Sequence, residues 1–279
     1  MIKLRKIILL VCLAFPLSAS AWNTAVHKII AEIAYENLTS TAKHHVNTLV
    51  SALRKVEPQV KTFQQLSAWP DILRIQGVEA FNSWHFVNQP FSTDGQALPP
   101  LAKHNAIWAI QQSWSVLSNK QSNTFMRAWF LAFYVHILGD IHQPLHASTR
   151  VSKAYPDGDK GGNFFPIRYG NIKNLHKLWD AAVGAIPTGA ISKEKVIKTA
   201  RELQKKYPKS FFGQQKITDT NPQHWADESL TIAKTFVYNT PVDKRPSKTY
   251  INKGQSIALQ RVTLAGYRLA YMLNKLFTS

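Results

Sequence analysis

The sequence predicts an all-α protein, a single compact multi-helix domain with a small β-hairpin at most. Three observations lead there. Apolar residues recur at three- and four-residue spacing along most of the chain, Pro and Gly gather between those stretches, and no solenoid-type repeat or low-complexity tract breaks the pattern. Thr24 to Leu38 opens the series, with Val26, Ile30, Ile33 and Ala34 on one face and Thr24 as its expected cap. Helices are then expected over Thr39–Val56, Lys103–Leu117 and the strongly apolar Asn123–Asp140. Leu175–Ala185, Lys193–Lys206, Ala226–Val237 and Ser256–Phe277 complete the set. Loops are expected at Gln89–Pro100 and Tyr155–Gly170, and Phe164–Tyr169 alternates weakly enough to suggest the one hairpin.

The first 21 residues read differently. Lys3, Arg5 and Lys6 precede a short apolar run from Ile7 to Phe15, and Ala19-Ser20-Ala21 ends it with small residues. That is the pattern of a secretory signal peptide, and the run is too short to span a bilayer. Cleavage after Ala21 would make Trp22 the new terminus, so residues 22–279 form the domain and the protein is secreted or periplasmic. Cys12, the single cysteine, falls in the removed segment, which leaves a mature exported chain that cannot use disulfides. With 45% apolar and 11% aromatic residues, the chain can build a core in their place. The formal charge is +18, or +15 without Lys3, Arg5 and Lys6, and such an excess attracts polyanions such as nucleic acid or acidic lipid.

The chemistry concentrates in two helical patterns. His136-x-x-x-Asp140, followed by His146, and His176-x-x-x-Asp180 each place imidazole and carboxylate four residues apart, on one helix face. Buried among apolar neighbours, either group alone is costly, and a shared metal ion satisfies both. A single copy reads better as a surface ion pair, whereas two copies favour metal. Asp71 in Trp69-Pro70-Asp71 and His85 in Trp84-His85-Phe86 lie beside tryptophans, and His27 follows Trp22 by five residues. A core role is the ordinary reading for His27, but it would lie close to a newly freed α-amino group.

Taken in order, these motifs with Asp159-Lys160-Gly161-Gly162-Asn163, Asn174 to Asp180 and Trp225-Ala226-x-Glu228-Ser229 resemble the S-one/P-one type zinc-dependent nucleases. That family includes mung bean nuclease and is related to bacterial zinc phospholipases C. The resemblance covers the whole mature chain and implies their multi-helix fold and a cluster of three Zn2+. Asp71, His85, His136 and Asp140 would bind the first ion. The amine and carbonyl of Trp22, His27 and the bridging Asp140 would bind the second, and His146, His176 and Asp180 the third. Arg74 would contact the scissile phosphate beside the catalytic Asp140, and Phe86 would stack a base, unless it packs in the core. Lys160, with Gly161 and Gly162, would form a tight loop beside the bound substrate, and His142 would orient a ligand. Two positions depart from the family. Asn88 stands where members often carry a base-reading aspartate, and Ala181 where they often carry Asn or Thr.

The resemblance further implies hydrolysis of single-stranded DNA and RNA to 5′-phosphate products, with 3′-nucleotidase activity on nucleotides. The chain is expected to act as a monomer without a membrane anchor. A zinc-dependent phospholipase C remains the nearest alternative, and a non-catalytic zinc- or DNA-binding protein the more distant one. His44, His45, His104 and His224 are read as surface or packing residues.

Overall fold

The computed structural model describes residues 22–278. The signal peptide read over residues 1–21 lies outside them. Helices α1 (Thr24–Glu36), α2 (Ser40–Arg54), α3 (Phe63–Ile75), α4 (Ala106–Ser118) and α5 (Thr124–Asp140) form the first half. Then come the short α6 (Pro144–Ala147) and α7 (Leu175–Asp180), followed by α8 (Lys193–Lys206), α9 (Lys209–Phe212) and α10 (Gln214–Thr218). The chain closes with α11 (Pro222–Ile232) and the 30-residue α12 (Lys248–Phe277).

Side-chain caps set most of the starts. Asn23, not Thr24, accepts from the backbone of Ala25 and Val26 to open α1, and Thr39 caps α2 from outside it. Asn105, Asn123, Asn174, Ser192 and Ser247 do the same for α4, α5, α7, α8 and α12, each cap contributing about 1 kcal/mol. Helix α3 was not expected, because Pro70 sits inside it and has no N–H to give the preceding turn. Helix α11 starts earlier than expected, with Asn221 as cap and Pro222 in the first turn, and runs on as a π-helical segment, Ala233–Val237. Helix α12 also starts earlier, since its polar opening around Asn252 and Lys253 hides the helical period.

Strands β3 (Pro166–Tyr169) and β4 (Ile172–Asn174) form the expected antiparallel hairpin. A second, unexpected pairing is parallel: β1 (Gln89–Ser92) lies beside β2 (Ser148–Val151), in register Gln89 with Ser148. Local pattern could not announce it, because each strand has four residues and its partner lies far along the chain.

Helix α5 is the axis of the fold. Every residue from Leu131 to Asp140 is buried, as befits a helix apolar on all sides. Helices α2, α3 and α4 pack on α5, while α1 packs against α3, α8 and α12. An aromatic block joins α3, α5 and the 3-10 turn Asn82–His85. Trp69 meets Phe133 edge-on at 6.1 Å, Trp84 meets it at 5.1 Å, and Trp129 stacks on it at 4.3 Å. The block packs directly behind the segments that carry Asp71 and His85. None of the described helices is long and apolar enough to cross a membrane.

Candidate metal centre

The eight side chains expected as donors converge. His27 comes from α1, Asp71 from α3, His85 from the 3-10 turn, His136 and Asp140 from α5, His146 from α6, and His176 and Asp180 from α7. All are buried. They gather in three triads with metal-binding spacing: His27–Asp71–His136, His85–His136–Asp140 and His146–His176–Asp180. The first two interleave through His136, so geometry alone does not divide their donors between ions.

Asp140 is the hub. Its Oδ2 lies 3.2 Å from both His85 Nδ1 and His136 Nε2, and its Oδ1 lies 3.2 Å from His27 Nε2. The His27 ring stacks on His136 at 3.8 Å. Such proximity depends on Gly139, where a Cβ would stand 3.1 Å from His27 Nδ1. Several donor atoms here have no hydrogen-bond partner among the described residues, namely both His27 nitrogens, Asp140 Oδ1, His146 Nε2 and Asp180 Oδ2. Buried polar atoms are normally satisfied. Here such atoms face one another without hydrogen-bond geometry, as donors around a cation do. His146 and His176 each stand 3.6 Å from an Asp180 oxygen, beyond ordinary hydrogen-bond reach.

Three histidines are oriented from behind. The Nδ1–H of His136 donates to Ser67 O (2.8 Å), that of His146 to His85 O (2.6 Å) and that of His176 to Gly161 O (2.7 Å). A carbonyl can only accept, so Nε2 is the nitrogen left to face the cluster. This accounts for the Lys160–Gly162 loop. Gly161 has φ +62, and a Cβ there would strike Leu145 O at 2.2 Å. Gln143, which the sequence did not single out, donates from Nε2 to Asp180 Oδ1 at 2.8 Å. Its own Oε1 caps the short α6 at Leu145 N.

His142 does not orient a ligand. Its Nδ1 bonds Leu138 O, and its Nε2 meets Arg268 at 3.0 Å. It belongs to a buried knot in which Arg261 and Arg268 grip Glu228 while Arg261 also donates to His142 O. The signal that could have revealed this was the Trp225–Ser229 motif, whose Glu228 answers two arginines of α12.

Residues 22 and 23 are stitched to the same place. The buried Trp22 indole donates to Gly139 O at 2.9 Å, and Asn23 N–H donates to Asp180 O at 3.0 Å. Asp180 is followed by strained backbone, with φ 48 at Ala182 and φ 56 at the β-branched Val183. Helix α7 therefore stops at Asp180 instead of reaching Ala185. Gln255 of α12 holds the turn by donating to Val183 O at 3.2 Å. Residues in such conformations persist only where neighbours fix them, commonly at functional sites.

Charge follows from burial and neighbours. Burial opposes charge on His146, but Asp140 and Asp180 outweigh it and hold its pKa up at about 9. Burial likewise opposes a charge on His136, again outweighed by Asp140 and Asp71. Burial, with His136 nearby, lowers His27, and burial lowers His85. Burial would raise Asp140, yet His136, His146 and His27 hold it well below the usual carboxylate range.

A cavity of about 580 Å3 opens onto His85, His146 and His176. Arg74 lines it, with its guanidinium 3.2 Å from Asp71 Oδ1. So do Phe86, Asn88 and Lys160. Phe86 is half-buried and stands outside the hydrophobic core, which removes core packing as its role. Asn88 (φ 55) reaches back to His146 O through its N–H at 3.4 Å, and Lys160 Nζ lies 5.2 Å from the Phe164 ring. Asp157, Asn163 and Phe164 also line this cavity, and no spacing rule marked them beforehand. His44, His45, His104 and His224 are exposed.

The fold and site together define the class: a helical protein whose buried His/Asp triads could hold metal ions beside a cavity edged by Arg74, Lys160 and aromatic rings. Residues 22–278 match the sequence profile described as S1/P1 Nuclease. The chain is 27% identical to Endonuclease 1 of Arabidopsis thaliana, over 94% of this chain and 88% of that one. It is 24% identical to Nuclease S1 of Aspergillus oryzae, over 91% of each. The protein belongs to the S1/P1 nuclease family and is a nuclease hydrolysing phosphodiester bonds of nucleic acid.

Proposed function

We propose that this protein is a secreted trinuclear-zinc endonuclease of single-stranded DNA and RNA, with 3′-nucleotidase activity. The observation that carries the reading is the convergence of eight buried His and Asp side chains, several with unsatisfied donor atoms, beneath a cavity edged by Arg74 and Phe86. Nitrogen and carboxylate donors without thiolate suit zinc in a catalytic setting. Asp71, His85, His136 and Asp140 would hold one ion, His27 and Asp140 with the amine and carbonyl of Trp22 a second, and His146, His176 and Asp180 a third. The Trp22 amine becomes available only after residues 1–21 are removed. The stitching of residues 22 and 23 to Gly139 and Asp180 supports that placement.

Bound zinc would supply an acidified water at neutral pH and neutralise charge on the phosphate. The chain does the rest. Asp140 turns one oxygen toward His27 and the other toward His85 and His136, as a bridging carboxylate must. Asp71 braces the Arg74 guanidinium, whose fork suits the extra charge of a phosphorane-like transition state. Phe86 offers a ring to an unpaired base, which gives single strands the advantage. Asn88 and Lys160 flank that position, and Asn88 in place of a carboxylate shifts which base edge is favoured. His146 must give up its proton to bind metal, so loading weakens in acid.

The test is metal content per mature chain, paired with chelation and zinc rescue of cleavage. Single-stranded DNA, RNA, duplex DNA and phosphatidylcholine are assayed in parallel. Three zinc ions and restored single-strand cleavage are expected. Turnover of phospholipid without nucleic-acid cleavage would overturn the substrate assignment, and full activity after complete chelation the metal assignment.

A further inference from the structure

A second cavity, of about 430 Å3, lies between α9, α10, the π-helical segment and α12. It shares no lining residue with the cavity over the metal donors. Its apolar wall includes Phe211, Phe212 and Phe236, and its cationic wall Lys216, Lys253 and Arg261. No carboxylate lines it. Arg261 is engaged by Glu228, so the charge offered to a ligand comes from Lys216 and Lys253. Lys253 Nζ stands 5.4 Å from the Phe236 ring, placing a cation and an aromatic face side by side.

Phe211 is the unusual member. It is 54% exposed although Tyr207 and Phe212 lie 5.2 Å and 5.1 Å away, ring centre to ring centre. A large ring left in water beside other rings keeps a stacking surface available. The chain segment that leads to it is basic: from Lys193 to Lys216 it carries eight cationic residues and only two carboxylates, Glu194 and Glu202, though Arg201 pairs with Glu36 and Lys198 with Glu202. Exposed aromatic faces set among cations, without base-reading geometry, are the features by which proteins hold single-stranded nucleic acid. The complementary ligand carries a flat apolar group and negative charge a few ångströms apart, as a nucleotide does.

We propose that this cavity is a second single-stranded nucleic-acid subsite, holding a base and its flanking phosphates from a part of the strand remote from the bond being cut. The proposal rests on the nuclease reading and extends it: long strands bind at two places, dinucleotides at one.

Zinc-loaded protein is assayed on a thymidine dinucleotide and on an oligothymidylate of about twenty nucleotides, longer than one protein-bound stretch. In Phe211→Ala/Lys253→Ala, KM for the oligomer should rise about tenfold, the change one lost base–aromatic stack brings, with kcat unchanged. Dinucleotide kinetics should stay at wild-type values, and Phe211→Trp should keep the wild-type oligomer KM. An unchanged oligomer KM in the double variant overturns the proposal, as does an equal rise for both substrates. Anisotropy of a labelled phosphorothioate oligomer separates this from the nuclease reading. If wild type turns over neither substrate, weaker binding by the double variant still supports the subsite, and equal binding overturns it. Loss of anionic-vesicle binding with oligomer binding intact would assign the cavity to a lipid surface and likewise overturn it.

Discussion

The two ends of the metal centre are built differently. Around Asp140 most donors ride on α1, α3 and α5, backed by an aromatic block, and His27, His85 and His136 crowd Asp140 to 3.2 Å, with Asp71 3.9 Å from His136. Around Asp180 they ride on α6 and α7, of four and six residues, and stand 3.6 Å apart. Short helices have little stability of their own. The Asp180 end is instead fixed by single bonds from Gln143, Gly161 O and Asn23, and by a strained turn. Both ends are buried, but one is carried by long helices and the other by short ones tied with single hydrogen bonds, so they should fail differently.

The largest effect is expected from Asp140→Asn. Weakening the carboxylate proposed to bridge two ions should empty both, measured as metal per chain, and lower turnover on the order of 10³-fold. A loss no greater than that of His27→Ala would remove Asp140 from the hub. Next comes an extra residue retained before Trp22. Activity should fall on the order of 10²-fold as one ligand is lost and its surroundings disturbed, and wild-type turnover by such a protein would rule out the terminal amine as a ligand. Gln143→Ala tests the other end. Releasing Asp180 should weaken the ion proposed there about tenfold in chelator competition and leave metal binding at the Asp140 end alone; uniform weakening would erase the distinction between the ends.

The smallest effect on turnover is expected from Glu228→Gln, behind both ends. It leaves Arg261 and Arg268 uncompensated and should cost about 3 kcal/mol in urea unfolding at neutral pH. Glu228 is partly buried, which opposes its charge, but Arg268 and Arg261 pull its pKa well below 4.5. Its contribution is thus complete above the unfolded value of about 4.5 and lost as pH falls through the folded one. The gap between wild type and variant should close on acidification. A gap independent of pH would mean the knot is not electrostatic.

What the sequence disclosed did not follow that division. His136-x-x-x-Asp140 and His176-x-x-x-Asp180 were legible at both ends because imidazole and carboxylate on apolar helices contradict their surroundings, whereas His27, Asp71 and His85 read singly as ordinary packing residues. Helix α5 was equally plain. Helix α3 was hidden by Pro70, and the β1–β2 ladder by its long separation in sequence. The roles of Gln143 and Asp157 were invisible because a polar residue in a loop carries no periodic signature, so its partner appears only when the chain folds back. His142 misled for the opposite reason: it sits inside the richest motif yet faces away, toward α12.

The Nδ1–H bonds of His136, His146 and His176 carry one more implication. Because each Nδ1 proton is pinned by a main-chain carbonyl, the fold itself fixes which nitrogen faces inward before any ion arrives. Assembly of the polypeptide and acquisition of its cations become separable events. A stripped enzyme should then regain its ions by simple titration, at a rate set by entry through the cavity and not by refolding.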